Sequence, residues 1–232
     1  AEMMRRSESG WPWSRGVPYT VRAARESITG AAAIGNYVAE VDQKIIGCCT
    51  LLRGLWDQES AYVGYLNVEP SYQRQGFGRR LLRAAVDTAI QEGFDRVNLN
   101  TWPGNLQALP LYKKMGFFWV PETMVEMVSL IPAVLGHPMF KGFFTQVPDW
   151  YSAQVRDLSP KPDILDRDGI RIFQYRFRSG ANEVEATVDR RALWLTGGSN
   201  KDLEIWIHPE NEISPEGFPQ SVFWEVTNKG SS

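Results

Sequence analysis

The run Leu66-Asn67-Val68-Glu69-Pro70 passes at once into Gln73-Arg74-Gln75-Gly76-Phe77-Gly78-Arg79-Arg80-Leu81-Leu82, and this junction constrains the fold more than any other stretch. It reads as a strand, a tight glycine loop and the start of a helix. Glycines let a backbone approach a phosphate closely. The N–H groups of a first helical turn lack intrahelical partners and point toward such an anion, so the loop can cradle a pyrophosphate. From Phe77 to Gln91 the apolar residues Leu81, Leu82, Ala85, Val86, Ala89 and Ile90 recur at helical spacing, and Gly93 stands where a C-cap belongs.

The flanking sequence predicts what this junction joins. Val21 to Thr29 reads as a short helix. Asn36–Val41 and Lys44–Leu52 read as a hairpin about Asp42-Gln43, and Tyr62–Val68 as a third strand stopped by Pro70. Arg96–Thr101 is a further strand, with Val97 and Leu99 alternating. Asn105 is placed to cap a short helix running to Met115 that Gly116 closes. Pro110 inside that helix removes one backbone hydrogen bond, so a kink is expected before Tyr112. Phe117–Val120 and Met124–Leu130 complete the strands. The order predicts a mixed sheet with helices on both faces.

After Ile131 the character changes. Pro132, Pro138 and Pro148 break residues 131–160, while Phe140, Phe143, Phe144, Trp150 and Tyr151 make them too aromatic for a free linker. Five strand-like runs follow: Ile170–Arg178, Glu183–Asp189, Ala192–Thr196, Leu203–His208 and Ser221–Thr227. Turns such as Ser179-Gly180, Gly197-Gly198-Ser199-Asn200 and Pro215-Glu216-Gly217 separate them. Short antiparallel strands at this spacing suggest a small β-sandwich or barrel. The expected organisation is therefore residues 1–130, a connector over 131–168, and an all-β sandwich-like domain over 169–232.

Residues 36–130 resemble the GNAT acetyltransferase superfamily, and Val68 to Leu82 is most similar to its ribosomal-protein alanine acetyltransferases. The resemblance rests on the strand ending in Val-x-Pro, the glycine loop, and Asn105, Ala108, Tyr112 and Gly116-Phe117 at the family's spacing. It implies an α+β, α/β-like mixed sheet flanked by helices, with acetyl-CoA as cosubstrate. Main-chain groups of Leu66 and Val68 would pair with the pantetheine arm, and an N–H there would polarise the thioester carbonyl. The loop and first helical turn (Gln73, Arg74, Gln75, Gly76, Phe77, Gly78, Arg79, Arg80 and Leu81) would hold the pyrophosphate. Some of Arg74, Arg79, Arg80 and Arg83 would meet CoA phosphates and the rest a solvated helix face. Asn105 would contact the CoA arm besides capping. Tyr112 stands where the family places its general acid, a phenol that protonates the departing thiolate. The family's sheet opens with another strand and helix; none stands out in residues 1–20, so the first strand is expected upstream or the fold is modified.

The chain also departs from the family. Twelve residues before the tyrosine the alanine acetyltransferases carry a glutamate base; here that position is Asn100, whose amide does not take the amine's proton. Tyr62 stands near another family glutamate position. Glu59, Glu69 and Glu40 are candidates for a water relay, against a reading as ordinary surface charge. A weak base set leans toward an acceptor of low pKa, an α-amine near ~8 over a lysine near ~10.4. The leading reading is an N-acetyltransferase acting on an amine: a small molecule, a peptide N-terminus or a lysine. The alternatives are a non-catalytic acyl-CoA-binding module acting through the C-terminal β domain, and a β domain that itself binds a protein or carbohydrate. Trp11-Pro12-Trp13 is a candidate to line the acceptor site or to pack.

Composition narrows the remaining classes. A net charge of −2 over 232 residues offers no global attraction to nucleic acid or an anionic membrane. No apolar run approaches the roughly 18–20 residues of a membrane span. Ala1–Gly10 is charged, unlike a secretion signal. A cytoplasmic protein with reduced Cys48 and Cys49 is expected; adjacent on a strand, the two thiols point to opposite faces and form neither a disulfide nor a metal pair. His137 and His208 stand far from any cysteine cluster, so no metal is expected. A missing initial Met and the polar close Asn228–Ser232 suggest a fragment of a longer chain. A homodimer is left open.

Overall fold

A computed structural model describes residues 2–3, 20–22, 25, 30, 32–54, 57–167, 169–191, 193–209 and 222–230. Trp11 and Trp13, most of the helix expected over Val21–Thr29, and the turn at Pro215-Glu216-Gly217 lie outside them. The chain divides into two units, Ala1–Asn100 and Thr101–Ser232. Among the described residues no helix is long and apolar enough to cross a membrane.

In the first unit, Asp42 and Gln43 take φ of 48° and 61°. Two successive left-handed residues match the twist of a tight hairpin, here joining β1 (Ala33–Val41) to β2 (Lys44–Arg53). β3 (Ser60–Val68) pairs antiparallel with β2, and β4 (Arg96–Asn100) pairs parallel with β3. The sheet is therefore mixed, as the order of elements predicts. The crossover helix α1 (Phe77–Gln91) buries Leu81, Leu82, Ala85, Val86 and Ala89. Each large side chain among them contributes about 1.5–3 kcal/mol. Its close approach needs Gly47 on β2, where a Cβ would lie 3.1 Å from Leu81 Cδ1 and 3.0 Å from the Asn67 carbonyl. α1 ends in a Schellman arrangement: the Phe94 N–H donates to Ala89 O and the Gly93 N–H to Ile90 O. On β2, Cys49 is buried and Cys48 half-buried, and neither is in a disulfide. Burial raises both thiols, Cys48 to about 11, which keeps them protonated and unreactive.

In the second unit, α2 (Leu109–Lys114) leads to β5 (Phe118–Trp119) and β6 (Glu126–Ser129), which pair antiparallel. Two expectations are corrected here. Ala108, not Asn105, is the N-cap of α2, and Pro110 lies in its first turn. A first-turn residue has no intrahelical N–H bond to lose, so no kink follows. The aromatic stretch after Ile131 is packed as expected, with Phe140 and Trp150 buried. It is also helical: α3 (Ile131–Gly136), α4 (Pro138–Gln146) and α5 (Trp150–Ala153). Pro132 and Pro138 read as breakers, yet each occupies a helix's first turn.

The C-terminal strands are all antiparallel: β7 (Leu165–Arg167), β8 (Ile170–Ser179), β9 (Asn182–Asp189), β10 (Leu195–Ser199), β11 (Leu203–Pro209) and β12 (Val222–Asn228). They form one six-stranded sheet in chain order. The expected antiparallel strands are thus present, but among the described residues they make one sheet with an aromatic layer, where two packed sheets were expected. Phe173, Tyr175 and Phe177 alternate inward on β8 and are buried. Phe118 stacks on Phe173 with centroids 4.6 Å apart, and Phe144 meets Phe177 edge-on at 5.0 Å. The other side of β8 and β9 carries Arg176 with Glu183 and Glu185, and Arg178 with Glu183. Such exposed pairs keep a face soluble while adding about 0–1 kcal/mol each.

Candidate active site

The first unit opens where two strands part. β3 and β4 pair at Ser60↔Arg96, Ala61↔Val97 and Tyr62↔Asn98, and there their register ends. β3 runs on through Val63–Val68, held on its other side by β2. A bulge marks the parting: Thr50 pairs with Tyr65 and Leu51 with Val63, so Gly64 is the extra residue of β3. A bulge bends its strand and re-aims the backbone. A Cβ at Gly64 would come within 2.9 Å of Leu52 Cδ1. Its sequence signal was a glycine inside the apolar run Val63–Leu66, which strand periodicity alone passes over.

The opened strand leads directly into the glycine loop. Glu69 and the short 3₁₀ turn Pro70–Tyr72 reverse the chain. Gln73 then reaches back, its Nε2 donating to the Val68 carbonyl at 3.0 Å. Gln75 Nε2 similarly donates to Ser71 O at 3.2 Å. Both glutamine side chains thus shape the loop, a role the sequence reading did not assign. Gly76 is the N-cap of α1 at φ 84°, ψ 0°, a conformation that costs a residue with a Cβ about 1–2 kcal/mol. It supplies no capping side chain, and the first turn holds no acidic residue. The first bond of the helix is Arg80 N–H to Gly76 O. The N–H groups ahead of it fall under the general rule that the first turn lacks intrahelical acceptors.

Charge around this helix start is positive. Arg74, Arg79 and Arg80 are exposed, and the Arg80 guanidinium lies over the Phe77 ring at 4.7 Å. Arg83 instead grips Asp87 through Nε, at 2.8 and 3.0 Å, and belongs to the solvated helix face. Gly78 is half-buried within the helix, and Leu81 is buried in the core, beyond the first helical hydrogen bond. An acid-free helix start amid arginines, beside a strand that has left its parallel partner, suits a long anionic ligand with an extended amide-bearing arm.

The carboxylates divide. Glu59 lies at the far end of β3 from the loop, 69% exposed and 3.6 Å from Arg96. Asp57, which also pairs with Arg96, loses solvation, but the Glu59 N–H and Arg96 outweigh that and hold its carboxyl below the ordinary value. Glu69 is buried and pairs with Lys44 at 3.0 Å, so it is no ordinary surface charge. Glu40 and Asn100 are exposed.

The remaining predicted residues belong to the second unit. Asn105 donates from Nδ2 to Thr101 Oγ1 at 2.9 Å, and its carbonyl accepts the N–H groups of Ala108 and Leu109. Tyr112 lies on α2, 7% exposed, with its ring edge-on to Phe117 at 6.3 Å. Among the described residues no group of three His, Cys, Asp or Glu side chains is placed to hold a metal.

Comparison with known proteins agrees with this geometry. Human N-acetyltransferase 8 is 28% identical over 113 residues, 46% of this chain and 50% of that protein. N-alpha-acetyltransferase 30 of Saccharomyces cerevisiae is 39% identical over 56 residues, 24% of this chain and 32% of that protein. The ribosomal protein bS18-alanine N-acetyltransferase of Escherichia coli is 40% identical over 50 residues, 22% of this chain and 34% of that protein. The chain spans about half the length, or less, of these curated relatives. The family model described as "Acetyltransferase (GNAT) family" matches residues 2–117, half of the chain, so with its parted strands and glycine-capped helix the chain belongs to the GNAT acetyltransferase family.

Proposed function

We propose that this protein is an N-acetyltransferase that moves the acetyl group of acetyl-CoA to an α-amine. The observation that carries the reading is the end of β3–β4 pairing at Tyr62↔Asn98, which leaves Val63–Val68 leading into the Gly76 loop. Leu66 and Val68 would pair with the pantetheine arm through their main chain. Because the Val68 carbonyl already accepts Gln73, its N–H is the group left for the ligand. The backbone N–H groups of Gly76, Phe77 and Gly78, ahead of the first helical hydrogen bond, would bind the pyrophosphate, with Arg74, Arg79 and Arg80 supplying charge. Asn105 would add a polar contact to the CoA arm.

The amine nitrogen attacks the thioester carbonyl, the C–N bond forms, and the C–S bond breaks. The amine's surplus proton leaves to solvent or a relayed base, while Tyr112 gives its phenolic proton to the departing sulfur. Holding both reactants in one place supplies much of the acceleration. The choice of an α-amine rests on Asn100 at the base position: an amine near ~8 is partly neutral without help, and one near ~10.4 is not. The likeness to a yeast N-alpha-acetyltransferase and an E. coli alanine N-acetyltransferase supports the same choice.

Thiol release from acetyl-CoA, measured with a peptide bearing a free N-terminal alanine, tests this. Turnover that falls strongly in Tyr112→Phe supports it. Faster acetylation of an Nα-blocked lysine peptide would overturn the α-amine assignment.

A further inference from the structure

The turn that follows Tyr112 is held from outside its own helix. Lys113 O accepts Arg156 Nη1 at 3.2 Å, and Phe117 O accepts the same nitrogen at 3.1 Å. Gly116 O accepts Tyr175 Oη at 2.8 Å, and that hydroxyl in turn accepts the Leu130 N–H at 2.8 Å. Asp163 ties the pieces together. One carboxylate oxygen takes Lys113 Nζ at 3.0 Å and Arg156 Nη2 at 2.9 Å; the other takes the Trp119 N–H at 2.7 Å. Tyr112's own carbonyl accepts the N–H groups of Met115 and Phe117 inside this clamp. All of these groups lie in the second unit.

We propose that Asp163 is a positioning residue for Tyr112, acting with Arg156 and Tyr175 through the turn that ends α2. Three carbonyls of a helix end normally capped by water or by its own chain are taken here by side chains 39 to 59 residues downstream. Lys113, next in sequence to Tyr112, is 1% exposed. Burial lowers its pKa, and Asp163 opposes that. A buried ammonium without its carboxylate would have to move or lose its proton. Either event removes a restraint on the end of α2, the helix that carries the Tyr112 ring. The segment beyond the matched family region thereby takes a part in the reaction: it sets where the proton donor stands. This inference rests on the reading of Tyr112 as proton donor.

Two measurements test it. In the full chain carrying carbon-13 at the tyrosine ζ position, the resonance lost in Tyr112→Phe is that of Tyr112. Asp163→Asn, which keeps an acceptor for the Trp119 N–H, is expected to shift or split that resonance, while Asp95→Asn on the exposed surface of the first unit leaves it in place. With the alanine peptide, Asp163→Asn is expected to lower kcat by about tenfold to a hundredfold with the KM for acetyl-CoA unchanged. In the Tyr112→Phe background it should lower kcat less than about twofold. Tyr175→Phe repeats both tests at Gly116 O if Asp163→Asn fails to fold. An unmoved Tyr112 resonance, or an equal fall of kcat in both backgrounds, overturns the proposal. A Tyr112→Phe enzyme as active as the parent would instead overturn the proton-donor reading, and the resonance would still decide whether Asp163 positions the ring.

Discussion

Gln73 closes the open strand end of the site: its side-chain amide donates to the Val68 carbonyl at 3.0 Å. The bond fixes the direction of the last residue of β3 as it enters the phosphate loop. A net hydrogen bond of this kind is worth about 1 kcal/mol. Gln73→Leu is therefore expected to lower the melting temperature by about 2–4 °C and, because the strand end loses its fixed direction, to weaken acetyl-CoA binding by up to about fivefold. Calorimetric titration checks this; an unchanged Kd would show that the bond has no part in binding.

Gly116 ends α2 under two constraints at once. Its φ is +88°, and a Cβ there would lie 2.3 Å from Ile131 Cγ1. The dihedral costs a non-glycine residue about 1–2 kcal/mol, and overpacking adds about 1–3 kcal/mol. Gly116→Ala should accordingly destabilise the chain by about 3 kcal/mol in urea unfolding. Ile131→Val in the same chain should recover little of the loss, because it removes Cδ1, at 2.9 Å, and leaves both Cγ1, at 2.3 Å, and the dihedral as they were.

His137 is the N-cap of α4, its Nδ1 accepting the Met139 N–H at 3.3 Å. Burial holds its imidazole below the usual histidine value. As pH falls through about 6.5 the unfolded chain takes up the proton before the folded one. Stability from this group is therefore fully present above that pH and declines as pH falls toward the folded-state value. His137→Asn keeps an acceptor that does not titrate. Between about pH 7.5 and 5 the parent's melting temperature should fall further than the variant's, by about 1–3 °C for a cap of this strength. Parallel curves would remove His137 from the acid response.

Much of the site's frame was legible because its signals are local. The Asp42-Gln43 hairpin, the limits of α1 at Phe77 and Gln91, and its closure around Gly93 depend on residues close in sequence. The bulge at Gly64 left one weak signal, a glycine inside an apolar run, and its position is set by a register difference between β2 and β3 that periodicity does not show. Pro132 and Pro138 illustrate the converse: a proline breaks a helix or begins one according to where the turn starts, and composition does not say which. Asn105 misled in the same way, its side chain being taken by Thr101 while Ala108 begins α2. The Asp163–Lys113 pair joins residues 50 positions apart and leaves no periodic trace.

Titration of acetyl-CoA into the parent chain and into Gly78→Glu tests the central claim most directly. Gly78 lies in the first turn of α1 without a positive φ, so a glutamate is tolerated by the backbone and favoured by the helix dipole. It also sets a negative charge where the pyrophosphate would lie. The account predicts binding by the parent, and its loss in a variant that melts at or above the parent's temperature. Equal binding by both, or none by the parent, would contradict it.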